Sequence, residues 1–301
     1  MVITVSIELE HCFLLHQRPY RETSVIAELL TEHEGRVSLV CKGVRSAGKK
    51  ASSLRSTLQP FALLNASWSG KTDLKSLRQA EVITPAPRLH QSQLYAGLYL
   101  NELLFRLFHS GESHTNLFSR YQASISELAS LDANDTIAIE VSLRRFEAGL
   151  LATLGFELDF MREAFTGQPI TADGEYRFDT EYGFCRVDRN YGEGDNEYSV
   201  VNVDSASDFN APVLIAGSAI LAIKNDDYHD KKVRHLAKKI MRLALAPHLG
   251  DGGEGEARAA AEHLPHTLRL GDGYGIGIGA AGATAIAPHL PQALWTLDLG
   301  C

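Results

Sequence analysis

The first 84 residues consist of short apolar runs separated by turn residues. Loosely alternating runs rich in Val, Ile and Leu predict five β-strands, at 2–16, 24–30, Arg36–Cys41, 61–68 and 74–83. Gly, Pro or charged residues bound each run. Five strands in so short a segment favour a small antiparallel barrel of OB-fold size. An SH3-like barrel fits the same spacing.

A helical period replaces the alternation after Pro85 and Pro87. Apolar residues at helical spacing predict helices at about 89–109, 116–131 and 136–154, the last followed by Gly155 as a C-terminal cap. Residues 156–210 are turn-rich and acidic, with one hairpin predicted around Gly183, and two more helices are predicted at 212–223 and 230–245. Residues 251–301 are Gly-rich, with two basic and six acidic residues, which is typical of a flexible tail.

These patterns predict an α+β protein with three parts. Residues 1–84 form the barrel domain, and residues 88–250 form a mainly helical body that includes a small irregular lobe at 156–210. Residues 251–301 form the tail.

Composition places the chain among ordinary globular proteins. It has 301 residues, of which 45% are hydrophobic and 22% are charged. No apolar stretch reaches the roughly 18 residues of a membrane helix, and Glu8 and Glu10 interrupt any signal-peptide core. The four cysteines are isolated, which favours reduced thiols in a cytoplasmic protein and argues against a cysteine zinc site.

The charge distribution is the strongest functional signal. The net charge is −8, but residues 1–84 carry +3 and the remainder −11. Residues 36–78 alone carry +8, because Asp73 is their one acidic residue. The basic residues of this segment are the predicted DNA-binding set: Arg36, Lys42, Arg45, Lys49, Lys50, Arg55, Lys71, Lys75 and Arg78.

A basic groove on a barrel suits a nucleic-acid backbone. Two basic connections flanking one groove would neutralise phosphates and release counterions, and an aromatic such as Trp68 could stack on bases. The alternative is a solvated charged loop. Tyr20, Phe61 and Trp68 are, one by one, better explained as core residues.

A phosphate-loop motif is the main competing signal. The segment 43–50 (GVRSAGKK) matches G-x-x-x-x-G-K-[ST] except at Lys50, where a magnesium-binding hydroxyl is required. The segment 69–72 (SGKT) lacks the first Gly, and G-x-G-x-x-G at 277–282 lies too near the end of the sequence for a βαβ unit. Neither G-x-S-x-G nor H-E-x-x-H occurs, so nothing in the sequence demands an enzyme.

Several ordered segments resemble the bacterial RecO family of DNA repair proteins. They are FLLHQRPYRETS at 13–24, GRVSLVCKG at 35–43, LQPF at 58–61, LKSL at 74–77, LYAGLYLNELL at 94–104, LRRF at 143–146 with Leu154-Gly155, and RLALAPHLG at 242–250. The resemblance covers about residues 10–250.

The resemblance implies an N-terminal OB-fold, a helical body and a mediator of recombination that is not an enzyme. It further implies binding of single- and double-stranded DNA, annealing of complementary strands, and action with RecR, often also RecF, in loading RecA onto strands coated by SSB. Some relatives carry a cysteine zinc module in the C-terminal lobe, but this chain has only Cys185 there, so no metal or other cofactor is expected.

The resemblance also implies recognition of the acidic SSB tail, which ends in a Phe carboxylate. Such a ligand needs an apolar groove with a cation at its mouth. The predicted residues lie on the first and third helices: Leu98, Leu103 and Leu107 for the groove, and Arg106, Arg144 and Arg145 for its rim. Plain bundle core and ordinary surface charge are the alternative for each of them.

Two further functions stay open beside DNA repair. One is a P-loop-like nucleotide hydrolase that uses residues 43–50, from Gly43 to Lys50, which saturable ATP binding would reveal. The other is a protein-interaction scaffold without salt-dependent DNA affinity.

Overall fold

The computed structural model describes residues 9–111, 113–187 and 214–249. Within these ranges the chain forms two compact units, one up to Ser142 and the other from Leu143 to His248. The start of the predicted first strand, part of the acidic stretch and the predicted tail 251–301 lie outside the described residues. The predicted domain limits therefore stay predictions.

Five strands close into a barrel in the first unit. They are β1 (Glu10–Tyr20), β2 (Ser24–Thr31), β3 (Arg36–Cys41), β4 (Leu63–Ser69) and β5 (Leu74–Thr84), in the order β1-β2-β3-β5-β4, with β1 pairing back to β4. The predicted five-stranded OB-fold barrel and the α+β class are confirmed. The purely antiparallel arrangement is wrong at one seam, because β3 and β5 run parallel. Two parallel neighbours cannot be joined by a tight hairpin and need a crossover connection. The chain between β3 and β5 provides that connection.

Alternation along the strands builds the barrel interior. In β3 and β4 every second residue is buried, so one face of each strand points inward. Trp68 is 1% exposed and is among the largest side chains inside. The other interior side chains are mainly small and medium-sized apolar groups, among them Leu14, Val25, Ala27, Leu29, Val37, Leu39, Cys41 and Leu64.

A helix that the sequence pattern did not predict follows β3. The prediction treated residues 42–60 as a polar connection, but Lys49–Thr57 forms helix α1. Its few apolar residues explain the error, since only Ala51 is buried and Leu54 packs on the barrel core. A short helix with so narrow an apolar face gives almost no periodic signal.

Three helices follow the barrel close to their predicted positions. They are α2 (Ser92–Leu107), α3 (Thr115–Ser130) and α4 (Thr136–Thr153). Gly155 follows α4 with a φ of +84°, as its predicted capping role requires. None of the helices in the described ranges is both long and apolar enough to span a membrane.

A buried amide joins α2 and α3 to the barrel. Asn101 of α2 donates from Nδ2 to the main-chain oxygen of Leu15 at 3.2 Å and of Leu14 at 3.5 Å. The β1–β2 register shifts at this point, between Leu14 and His16. Tyr121 of α3 donates its hydroxyl to Asn101 Oδ1 at 2.6 Å. One side chain thus bonds both a strand and a helix.

The second unit contains a small sheet and two helices. The predicted hairpin is present as β6 (Glu175–Asp179) and β7 (Gly183–Arg186), and α6 (Lys231–Leu245) follows its prediction closely. The helix predicted at 212–223 is wrong in its first part, because β8 (Leu214–Ala216) pairs with β6 before α5 (Gly217–Lys224) begins. Gly217 is required at this junction, since a Cβ there would lie 1.9 Å from the Thr171 carbonyl oxygen.

Candidate nucleic-acid interface

Three lysines of the predicted DNA-binding set are exposed cations. Lys42 follows β3, Lys49 opens α1, and Lys71 lies in the turn between β4 and β5. None of the three has a hydrogen bond or ion pair with another described residue. Lys50 follows Lys49 in α1, but its side chain lies outside the described part of the structure. These lysines are available to an anionic ligand.

Arg45 and Arg55 organise the loop between β3 and α1. Arg55 donates from Nε and Nη2 to the Val44 carbonyl at 3.2 and 3.1 Å, and from Nη2 to the Ser46 carbonyl at 3.3 Å. Arg45 donates from Nη1 to the Arg21 carbonyl at 3.4 Å. Both side chains remain exposed while they fix the loop, so each presents a positioned charge at the surface.

Arg78 lies beside this loop on the neighbouring strand. Val40 pairs with Ser76 in the parallel ladder, so Lys42 and Arg78 follow at the same level two residues later. Arg78 is exposed and donates from Nε to Ser69 Oγ at 2.6 Å. The charges of the β3–α1 loop and of β5 therefore lie side by side where β3 pairs with β5.

Arg36 and Lys75 belong to the same sequence cluster but are held inside ion pairs. Arg36 Nη1 lies 3.4 Å from Glu28 Oε2, and its guanidinium lies over the Phe105 ring with 5.0 Å to the centroid. Lys75 Nζ lies 2.7 Å from Glu34 Oε2. The two side chains are only 17% and 24% exposed, so they support the barrel more than they offer charge to a ligand.

The exposed cations follow the β3–β5 seam. Because Ser38 pairs with Leu74, the turn that carries Lys71 lies near the start of β3, whereas Lys42 lies past its end. The four residue steps from Ser38 to Lys42 span about 13 Å along the strand. The surface is thus a strip that runs along the seam. We call Lys42, Arg45, Lys49, Arg55, Lys71 and Arg78 the barrel strip.

The aromatic side chains considered for base stacking are mostly interior. Trp68 is 1% and Phe61 6% exposed, as their interpretation as core residues predicted. Trp68 therefore cannot stack on a base. Tyr20 is half-buried, with the Arg21 guanidinium carbon 5.1 Å from its ring centroid. The barrel strip thus offers charge without a large exposed aromatic platform.

The phosphate-loop motif lies in a strand–loop–helix segment, but two of its amides already donate to main-chain carbonyls. The Arg45 N–H donates to the Thr23 carbonyl and the Ser46 N–H to the Gly43 carbonyl, at 2.9 and 3.2 Å. A phosphate cradle needs such N–H groups pointing at the ligand. Together with the missing hydroxyl at Lys50, this weakens the nucleotide interpretation.

The first predicted SSB-tail residues lie on α2. Leu103 and Leu107 are each 5% exposed and belong to the core, whereas Leu98 is half-buried. Arg106 is exposed and pairs with Glu102 one turn earlier, with Nε 2.6 Å from Oε1. Of these four predicted residues, only Leu98 and Arg106 therefore have surface to offer a peptide.

The two predicted arginines of α4 differ strongly from each other. Arg144 is 5% exposed, and its Nε lies 3.0 Å from Oε2 of Glu147, itself 1% exposed. Arg145 is 52% exposed, and its Nε lies 3.0 Å from Asp226 Oδ2. Arg144 is thus a buried structural charge, and Arg145 is the surface cation of this pair.

Sequence reasoning missed a second strongly basic element. Six of the 15 residues of α6 are Lys or Arg, and none is acidic. The net negative charge of the residues after 84, counted as one segment, concealed this basic helix. A charge count within each predicted helix would have found it.

The buried cysteines offer no reactive site. Cys12 and Cys41 are fully buried, and burial raises the pKa of the Cys41 thiol to about 12 and that of Cys12 further. Both thiols therefore stay protonated at neutral pH. No cluster of three metal-ligating side chains occurs within residues 9–111, 113–187 and 214–249.

Comparisons with known proteins agree with the barrel and helical body. The family model "Recombination protein O N terminal" matches residues 7–86, and "Recombination protein O C terminal" matches residues 91–200. The "DNA repair protein RecO" of Yersinia pestis (strain Pestoides F) is 38% identical over 241 residues, which is 80% of this chain and 89% of that protein. The protein of the same name from Haemophilus influenzae (strain PittGG) is 38% identical over 244 residues, 81% of this chain and 92% of that protein.

Proposed function

This chain belongs to the RecO family of DNA repair proteins, and from that membership we propose that it binds single- and double-stranded DNA and anneals complementary strands. It does so without catalysing a reaction. It acts in homologous recombination in the cytoplasm, at the nucleoid, and helps RecA to load onto SSB-coated strands together with RecR and RecF.

The observation that carries this proposal is the barrel strip. Its lysines are exposed and lack ion pairs among the described residues, whereas Arg36 and Lys75 are paired. Exposed Lys and Arg gain affinity for DNA by displacing condensed counterions from phosphates. Phosphates are the same in every sequence, so binding through them is insensitive to sequence. An annealing protein needs that property, because it must accept any pair of complementary strands.

The barrel strip can be tested by removing its unpaired charges. The variant Lys42→Gln/Lys49→Gln/Lys71→Gln keeps side-chain length and loses three positive charges. We expect weaker binding of every single-stranded sequence, and a slope of log affinity against log salt that is shallower by about 0.7 for each phosphate that is no longer neutralised. Fluorescence anisotropy with labelled oligonucleotides over a salt series measures both quantities.

The control for this variant has the same charge change elsewhere. Arg88→Gln/Arg106→Gln/Arg120→Gln removes three exposed charges outside the barrel strip. We expect it to bind DNA with nearly the wild-type slope. Equal slopes for the two folded variants would contradict the assignment. Arg55 is left intact because its loss would disturb the loop that it holds.

The proposal includes recognition of the SSB tail by the helices. Arg106 on α2 and Arg145 on α4 are the exposed candidates for the terminal carboxylate, since Arg144 is buried and paired. Losing a charge-assisted hydrogen bond costs about 1.5–3 kcal/mol, or roughly ten-fold or more in affinity. We expect this loss from Arg106→Gln or from Arg145→Gln when a labelled acidic peptide ending in Phe is titrated.

The peptide titration also has a clear negative outcome. Arg120→Gln removes an exposed charge from α3 and should leave peptide affinity unchanged. If Arg106→Gln and Arg145→Gln both bind the peptide as the wild type does, the tail binds elsewhere.

A further inference from the structure

Two exposed aromatic side chains contact each other in the second unit. Phe165 lies in a turn that precedes the small sheet, and Tyr182 lies in the hairpin turn between β6 and β7. Their ring centroids are 5.4 Å apart, with 38° between the ring planes. Phe165 is 64% and Tyr182 is 56% exposed. Contiguous exposed aromatic surface is typical of interaction sites. We call Phe165, Tyr182 and the exposed Glu181 the aromatic patch.

A carboxylate positions each of the two rings by bonding to the main chain of its turn. The Glu163 carboxylate accepts from the Phe165 N–H at 3.3 Å. In the hairpin turn, Asp179 Oδ1 accepts from the Tyr182 N–H at 3.1 Å. The two aromatic residues therefore lie on turns with fixed main-chain hydrogen bonds.

A main-chain hydrogen bond and a group of phenylalanines connect the two turns. The N–H of Ala164, in the first turn, donates to the carbonyl of Phe184, in β7, at 2.7 Å. The buried Phe184 ring packs against Phe160 and Phe178, with 5.3 Å between the centroids in each pair. A surface that is fixed in this way loses little conformational freedom when a ligand binds.

The surroundings of the aromatic patch are acidic. Within residues 156–187, seven residues are acidic and three are basic, which gives a charge of −4. The negative charges of Glu181 and Asp179 act directly on the exposed ring, since Glu181 and, to a lesser extent, Asp179 raise the pKa of the Tyr182 hydroxyl. An aromatic surface with this charge attracts a cation and repels a phosphate backbone or an acidic peptide.

We propose that the aromatic patch binds an arginine side chain from a basic segment of a partner protein. A guanidinium is planar, so it can lie over the Tyr182 ring and donate two hydrogen bonds to the Glu181 carboxylate. The rings of Phe165 and Tyr182 are in contact, so the ligand lies over their exposed outer side and not between them. This site is separate from the proposed DNA and SSB-tail surfaces, because both of those ligands are anionic.

A nucleobase is the other planar group that could stack on these rings. Each base of a DNA strand carries a phosphate, which the carboxylates near the aromatic patch would repel. The exposed Arg162 is the cation nearest in sequence to Phe165, but its Nη1 already donates to the Gly167 carbonyl at 3.1 Å. The local charge thus favours a basic protein segment over a DNA strand.

The test selects ligands from a displayed library of random heptapeptides. The library is selected on the full wild-type chain and counter-selected on the variant Phe165→Ser/Tyr182→Ser. We expect the enriched peptides to contain arginine and to carry a net positive charge. One enriched peptide is then labelled and titrated by fluorescence anisotropy. The double variant should bind it roughly ten-fold more weakly than the wild type. Glu181→Gln removes an exposed ion pair and should weaken binding about three- to five-fold.

Two variants of the same unit provide matched controls. Phe156→Ser removes an exposed aromatic ring outside the aromatic patch, and Glu157→Gln removes an exposed carboxylate. Both should leave the affinity for the peptide unchanged. Circular dichroism establishes that each variant is folded. If the double variant does not fold, the selection is repeated with counter-selection on Glu181→Gln, a change of one exposed side chain.

Several results would overturn the proposal. One is a selection that enriches no arginine-containing peptide, and another is equal peptide affinity of Glu181→Gln and the wild type. If the double variant instead loses affinity for single-stranded DNA, the rings stack on bases. If the wild type forms a dimer that the double variant does not form, the aromatic patch is a contact between two copies of this chain. Each of these results leaves the proposed role of the barrel strip in place, since that role is measured on other residues.

Discussion

Replacing Arg144 by Ala is expected to destabilise the protein by about 3–5 kcal/mol. Arg144 and Glu147 are 5% and 1% exposed and lie 3.0 Å apart, so the substitution removes the neighbouring cation from a buried carboxylate. A buried carboxylate that loses a neighbouring cation keeps the part of its desolvation cost that this cation had offset. Urea unfolding of the full chain, followed by circular dichroism, measures the change.

Arg145→Ala is the matched control, one residue away on the same helix. Its ion pair with Asp226 is about half exposed on both sides, and exposed pairs contribute at most about 1 kcal/mol. We therefore expect a much smaller shift of the unfolding midpoint. If the two variants unfold at the same urea concentration, Arg144 is not the buried structural charge described here. For the same reason, peptide binding should be tested at Arg145 and not at Arg144.

Replacing Asn101 by Ala is expected to cost about 3 kcal/mol of stability. The substitution removes the donor to the Leu14 and Leu15 carbonyls and the acceptor for the Tyr121 hydroxyl, all in the core. Each buried polar group that loses its partner costs about 1–3 kcal/mol, and the truncated side chain leaves a cavity. Urea unfolding again provides the measurement.

Tyr121→Phe separates the parts of this network. It removes one hydroxyl and leaves the bonds from Asn101 to β1 in place, so a loss of about 1 kcal/mol is expected. Should Tyr121→Phe cost as much as Asn101→Ala, the bonds to the strand would contribute little. The network would then not be what joins α2 to the barrel.

The strands of the barrel could be predicted because turn residues bound each apolar run, and β3 and β4 also alternate clearly. β3 was predicted with its observed limits, since turn residues precede it and Val37, Leu39 and Cys41 mark one face. β1 extends to Tyr20, beyond its prediction, because its hairpin with β2 pairs Tyr20 with Ser24. This pairing depends on the folded structure, so the local sequence pattern does not predict it.

Elements with weak or misleading patterns could not be predicted. α1 has too few apolar residues to show a helical period. The Leu-Ile-Ala run of β8 continues into the apolar residues of α5. The sequence pattern alone therefore predicts one helix over both segments. Its pairing with Tyr176 of β6 makes it a strand.

The positive charge of the candidate site could be predicted from sequence, but which of its cations form ion pairs could not. A count over residues 36–78 finds the basic cluster, yet it treats Lys42 and Lys75 alike. The structure separates them, because Glu34 in the β2–β3 turn pairs with Lys75 and nothing described pairs with Lys42. Which cations are paired depends on register and turns, and these are set by the folded barrel.

The most direct test of the barrel strip is a lysine footprint of the full chain with and without a single-stranded oligonucleotide. Amines are acetylated briefly at low salt, and mass spectrometry reads the modification at each lysine. We predict that DNA protects Lys42, Lys49 and Lys71 of the barrel strip, whereas the exposed Lys224, which lies in neither proposed surface, keeps its reactivity. Unchanged acetylation of Lys42, Lys49 and Lys71 under saturating DNA would contradict the assignment of the barrel strip as the DNA surface.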